Sequence, residues 1–203
     1  MPQQRAIATR EKLIKAATEL IRQRGYAATS VDDLCEASGV TKGAFFHHFK
    51  SKDDLAEAAL AAWDCRGAAM EARAPFQELT SPQERVLGYM NFFLSIFDNP
   101  NLIRSCLAGT TVQEVADTNP RLRDAANQCF VNAEKRFQHL LDTACRTAPK
   151  PVDTASLAQL WIATMQGSLI LSKASQDGSI IRRNLEHLQA YIAGRLPRNG
   201  KSK

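Results

Sequence analysis

Apolar positions recur at three- and four-residue intervals along nearly the whole chain, and no stretch keeps the two-residue alternation of a half-buried strand. Leu13, Ala16, Ala17, Leu20 and Ile21 line one face of a first helix, and Gly25 follows where a left-handed C-terminal cap is expected. Ser30, with Asp33 at the third helical position, opens a short second helix that Gly39 ends. Thr41 caps a third helix running to about Phe49. Ser51 caps a fourth that continues to about Ala72, with Asp53 and Asp54 favourably placed in its first turn.

The same punctuation carries on downstream. Ser81-Pro82-Gln83-Glu84 reads as a capping box with proline at the first helical position, opening a helix to about Phe97. Asn99-Pro100 and Asn119-Pro120 repeat the cap-then-proline order and open two more. Pro149 and Pro151 break the chain before Asp153, which starts a helix to about Ser175. Gly178 separates that from a last helix over about 180–195, and the end from Pro197 to Lys203 is expected to fray. The pattern predicts an all-α chain of about nine helices.

Composition narrows the class. With 203 residues, 44% hydrophobic and 23% charged, the chain can bury a core in one or two small domains. No apolar run reaches the ~18–20 residues that cross a bilayer, and the amino-terminal Met-Pro-Gln-Gln-Arg lacks the apolar core of an export signal. A cytoplasmic protein with no membrane association is expected. Five cysteines, at 35, 65, 106, 129 and 145, form no CxxC pair, so neither a disulfide framework nor a metal site is encoded, and no cofactor is expected. The net charge is +5. Nine Lys and Arg against five acids up to Lys52 place four of those charges in the first quarter of the chain, which favours an anionic partner for that region.

Residues 29–50 have the dimensions of a DNA-reading helix-turn-helix: two helices of about eight residues joined by Ala37-Ser38-Gly39-Val40. Leu34, Val40, Phe45 and Phe49 form the small core that sets the interhelical angle. A plain pair of packed helices has the same spacing. As a reading head, the helix from Thr41 presents Thr41, Lys42, Gly43 and Ala44 to base edges, with Gly43 and Ala44 letting the backbone approach closely. Lys42 reaches a guanine edge or a phosphate. Arg5, Arg10 and Lys12 are candidates for further backbone or minor-groove contacts.

From Thr29 to Leu55 the string Thr-Ser-Val-Asp-Asp-Leu-Cys-Glu-Ala-Ser-Gly-Val-Thr-Lys-Gly-Ala-Phe-Phe-His-His-Phe-Lys-Ser-Lys-Asp-Asp-Leu resembles the TetR/AcrR family of bacterial regulators, and the resemblance covers about residues 8–55. It implies an N-terminal three-helix helix-turn-helix domain (1–52) and a helical effector-binding and dimerisation domain (53–203). It further implies a homodimer on a palindromic double-stranded DNA operator, most often a repressor released by a small-molecule effector. Thr29, His47 and Lys52 match family positions that commonly touch phosphate. Phe46 departs from the family's usual tyrosine and cannot donate that residue's hydrogen bond to phosphate.

The resemblance also implies that the last two helices form a four-helix interface with a symmetry mate, through Leu157, Leu160, Thr164, Ser168, Leu171, Leu185, Leu188 and Ile192. The same stripes fit a core internal to one subunit. Candidate effector-pocket residues are Trp63, Tyr89, Phe92, Phe93, Ile96, Phe130, Phe137, Trp161 and Met165, with Met70 nearby, although such an aromatic stripe also fits a plain core. No carboxylate or arginine stands out as an anchor, which favours a largely apolar effector. Cys106, in Arg104-Ser105-Cys106-Leu107-Ala108-Gly109, resembles a regulator subgroup with cysteine at this place, some of whose members sense electrophiles or oxidants. Arg104 is placed to favour its thiolate, and a buried inert cysteine is the alternative. The other four cysteines read as packing residues. No HExxH, P-loop, GxSxG or GxGxxG occurs, so an enzyme is not expected; the alternative function is a helical protein-interaction module without DNA binding.

Overall fold

In a computed structural model the described residues, 2–97 and 105–197, fold into nine α-helices with no strand among them. They are α1 (Pro2–Arg24), α2 (Val31–Ser38), α3 (Lys42–His48), α4 (Lys52–Ala72), α5 (Pro82–Phe97), α6 (Leu107–Val115), α7 (Pro120–Cys145), α8 (Thr154–Ser175) and α9 (Ser179–Ala193). A short 3-10 turn over Pro75–Glu78, which the periodicity does not announce, follows α4. The predicted start at Asn99-Pro100, the neighbouring Arg104 and the end beyond Pro197 lie outside the described residues.

Local chemistry accounts for the boundaries. Ser30 and Asp33 close a reciprocal capping box: Asp33 N donates to Ser30 Oγ at 3.1 Å, and Ser30 N donates to Asp33 Oδ2 at 2.8 Å. Gly39, at φ 64°, adopts the left-handed cap in which its N–H reaches Glu36 O and Val40 N reaches Cys35 O. Thr41 Oγ1 then accepts from Ala44 N at 3.2 Å, and Ser51 Oγ accepts from Asp54 N at 3.1 Å. Each cap satisfies a backbone donor that the first turn leaves without an intrahelical partner.

The chain separates into two compact units, cut within α4 and α7. Among the described residues one comprises 2–66 and 105–130, the other 67–97 and 131–197. The first unit is built on Leu13, Ala17, Ile21, Leu34, Phe45, Phe49, Leu55 and Leu60, joined by Leu107, Val115 and Leu122 from α6 and α7. This extends the helix-turn-helix core, because the short helices α2 and α3 cannot bury enough apolar surface alone. In the second unit α9 lies against α8 and α5, and the 3-10 turn lies against α5. Gly88 makes that last contact possible: a Cβ there would stand 2.8 Å from Phe76 Cβ.

Candidate functional site

On α3, Phe45 is fully buried while its neighbour Phe46 is 51% exposed. The buried ring sits in the core of the first unit, where α3 packs on α2, so the opposite face is turned to solvent. Thr41, Lys42, Gly43, Phe46 and His47 are all exposed on that face, and Ala44 is half-buried. The His47 and His48 rings meet edge to face at 5.2 Å. Arg10 on α1 lays its guanidinium 5.3 Å from the centre of the Phe49 ring. Of the residues expected to read DNA, five therefore share one solvent face on a rigid element.

Two of the expected phosphate contacts are placed otherwise. Thr29 is completely buried, and its hydroxyl donates to Gly25 O at 2.7 Å. The hydroxyl is held inside the turn after α1 rather than turned to solvent. Lys52 is half-buried; its ammonium donates to Tyr26 O at 3.1 Å and stands 4.0 Å from the centre of the Tyr26 ring. Its charge is available to a phosphate only if that local pairing is shared or released. Near the same face, Lys42 Nζ and Asp32 Oδ1 form an ion pair at 2.8 Å, a partner the linear motif does not reveal.

The turn after α1 is fastened to α6. Arg22 Nε and Nη2 each donate to Ser105 O at 3.0 Å, and Ser105 Oγ donates back to Arg22 O at 2.9 Å. At the other end of α6, Glu114 Oε2 accepts from Ala27 N at 2.7 Å, with the carboxylate packed over Gly25. Gly25 has φ 97°, and a Cβ there would fall 2.0 Å from Glu114 Oε1, so only glycine suits the position. Cys106 is half-buried at the N-cap of α6, within electrostatic range of the Arg22 guanidinium. Among the described residues, a cation near this sulfur comes from α1, 84 positions back. Among the other cysteines, Cys65 is exposed, contrary to the packing role expected of it.

The expected effector residues divide between the units. Trp63, Cys106 and Phe130 pack against the core of the first. Tyr89, Phe92, Phe93, Phe137 and Trp161 form a continuous aromatic cluster in the second, with Tyr89 stacked on Phe137 at 4.7 Å and Trp161 5.4 Å from Phe137. Ile96 and Met165, half-buried, belong to that unit too. The Trp161 indole N–H is buried without a hydrogen bond of good geometry, although the Tyr89 hydroxyl is close enough to interact with it. Burial keeps that phenol protonated well above its ordinary range. Beside Tyr89 lies what the sequence pattern hides: a buried Glu71 carboxylate paired with Arg136 Nε at 2.9 Å. The cluster is not purely apolar.

Most of the expected interface stripe faces inward. Leu157, Ser168, Leu185, Leu188 and Ile192 are all buried within this single chain, and Ser168 Oγ accepts from Asn184 Nδ2 at 3.1 Å. Burial against the protomer's own helices is what their periodicity recorded. Leu160 and Leu171 are 40% and 54% exposed, with half-buried Thr164 between them, and Ile170 and Tyr191 add exposed apolar surface. A Cβ on Gly167, in the same stripe of α8, would meet nothing within 4 Å.

Comparison with known proteins places this geometry in context. The family model described as "Bacterial regulatory proteins, tetR family" matches residues 13–59, and "Tetracyclin repressor-like, C-terminal domain" matches residues 82–188. A TetR transcriptional regulator from Chloroflexus aurantiacus J-10-FL has a crystal structure that superposes with a TM-score of 0.82 at 28% identity, covering 93% of this chain and 96% of that one. The HTH-type transcriptional repressor NemR of Escherichia coli K12 is 27% identical over 202 residues, 91% of this chain and 94% of its own length. The HTH-type transcriptional repressor DhaR of Mycobacterium sp. GP1 is 26% identical over 185 residues, 90% and 88% of the two chains.

Proposed function

This chain belongs to the tetR family of bacterial regulatory proteins and is a DNA-binding transcriptional regulator, and we propose that it acts as a cytoplasmic, homodimeric repressor released from a palindromic operator by a small molecule. The observation that carries the reading is the solvent face of α3, where Thr41, Lys42, Gly43, Phe46 and His47 stand over the buried Phe45. Thr41 to Ala44 read the major groove, and His47 with Lys52 hold phosphates. Two such heads in one dimer engage successive major grooves, roughly 34–36 Å apart. Similarity to the repressors NemR and DhaR supports repression over activation.

The outward faces of α8 and α9, through Leu160, Thr164, Gly167, Leu171 and Tyr191, meet their counterparts in a second copy. The effector enters the second unit at the aromatic cluster. With the Glu71–Arg136 pair beside Tyr89, the cluster suits a molecule that has an apolar body and one polar group. The test is a gel shift on the DNA flanking the protein's own gene, with Lys42→Ala alongside. Specific retardation that weakens in the variant is expected; no retardation by either protein would favour an interaction module without DNA binding.

A second reading of the trigger rests on Arg22. Its guanidinium stands near Cys106 at the start of α6, and an electrophile or oxidant would modify that half-buried thiol. Release of DNA by an alkylating agent in the native protein but not in Cys106→Ser supports that trigger; equal release in both removes it.

A further inference from the structure

The first turn of α2 carries two adjacent carboxylates with separate duties. Asp33 is used by the fold: it closes the capping box on Ser30 and takes an ion pair from Arg24 at 2.7 Å. Asp32 has no part in that cap. Its side chain is 75% exposed and reaches across to α3, where it pairs with Lys42 Nζ at 2.8 Å. The lysine is itself 59% exposed and opens α3 on the face that meets DNA. A carboxylate beside a DNA-reading surface opposes phosphate unless it is matched, so its position calls for an account in terms of binding.

We infer that Asp32 is an affinity- and specificity-setting residue, an internal counterion that Lys42 must leave or share before it can neutralise a phosphate. This rests on the reading of α3 as the DNA-contacting helix. The carboxylate also favours the charged form of Lys42, and the lysine arrives at DNA already paired with an anion. Neutralising a phosphate with a free lysine releases condensed counterions and adds about 0.9 to the slope of log affinity against log salt. A lysine held by Asp32 contributes less to that sequence-independent attraction. The pair therefore weakens binding to arbitrary DNA, and it yields only where the groove offers Lys42 a better-placed acceptor.

The experiment measures fluorescence anisotropy of a random-sequence 24-base-pair duplex across a salt series, for the full-length native protein, Asp32→Asn, Lys42→Ala and the double variant. Asp32→Asn keeps the Ser30–Asp33 cap, and a thermal melt verifies that each variant folds. Asp32→Asn should bind this duplex about five- to tenfold more tightly at low salt, with a slope steeper by part of the ~0.9 that one fully engaged cation contributes. Lys42→Ala should flatten the slope by the remainder of that contribution, and adding Asp32→Asn to it should leave the slope unchanged, because the carboxylate unmatched there lowers affinity but holds no cation back. An equal steepening of the slope with and without Lys42 would reduce Asp32 to a generic repulsive charge and overturn the inference. So would unchanged or weaker binding by Asp32→Asn. An unchanged slope in Lys42→Ala, with binding intact, would instead remove the lysine from the interface and Asp32's role with it.

Discussion

Arg22 and Ser105 exchange hydrogen bonds in both directions, two from the guanidinium to the serine carbonyl and one from the serine hydroxyl to the arginine carbonyl. The arginine is buried, its guanidinium 4.8 Å from the centre of the Trp63 ring, and burial lowers its pKa to about 10, so it stays charged at neutral pH. Removing it leaves the half-buried Ser105 carbonyl without its donors and takes away the contact with Trp63. Arg22→Ala should lose about 2–3 kcal/mol of stability, which lowers the melting temperature by roughly 5–10 °C for a chain of this size. Arg22→Lys should recover only part of it, because an ammonium lacks the planar fork. Differential scanning calorimetry of the three proteins checks both statements; a loss below about 2 °C would show that the clamp contributes little.

The capping carboxylate Asp33 carries a pH signature. Hydrogen bonds from the Ser30 hydroxyl and backbone N–H, and then Arg24, hold its pKa down at about 2, against an ordinary aspartate value near 4. Between these values the unfolded chain binds more protons than the folded one, so stability falls as the pH falls. The advantage over Asp33→Asn should be complete above about pH 4 and should disappear as the pH drops through about 2. Urea midpoints for the two proteins at pH 6, 4, 3 and 2 measure it, and a difference independent of pH would assign the effect to something other than the ionised carboxylate.

The helix-turn-helix was legible in the sequence because its determinants are local. Ser30 with Asp33, Gly39 and Thr41 each act within four residues of themselves, and every one of those caps is present. Thr29 sits in the same stretch, but a motif gives its position and not whether the hydroxyl faces out or turns back to Gly25, as it does here. The α9 stripe was ambiguous for a related reason. Amphipathic spacing says that Leu185 and Ile192 are covered, but a protomer core and a subunit interface leave the same period. Contacts made only by tertiary folding were invisible: Glu71 and Arg136 are 65 positions apart, and nothing in either neighbourhood marks the pair.

Exposed Leu171 and buried Leu185 separate assembly from folding. Leu171→Glu places a charge on the outward face of α8, where the isolated subunit has room for it. It should convert a dimer to a monomer in light scattering at micromolar concentration while leaving helical content unchanged. Leu185→Ala opens a cavity inside the subunit and should reduce stability by about 2–5 kcal/mol. A Leu171→Glu protein that remains dimeric would move the interface off this face of α8.

Phe46 offers a gain-of-affinity test of the DNA interface. Its ring is 51% exposed and packs edge to face on Phe45 at 5.1 Å, so a para-hydroxyl can be added without displacing the core. The family's usual tyrosine uses that hydroxyl on a phosphate, and a hydrogen bond to a charged acceptor contributes about 1.5 kcal/mol or more. Phe46→Tyr should therefore bind operator DNA roughly tenfold more tightly. The new donor is neutral, so no additional counterion is released and the slope of affinity against salt should stay as it is. Affinity and slope must be read together. Tighter binding at constant slope places residue 46 against a phosphate, whereas unchanged affinity means that the Phe46 ring lies against sugar or a thymine methyl, where a hydroxyl finds no acceptor.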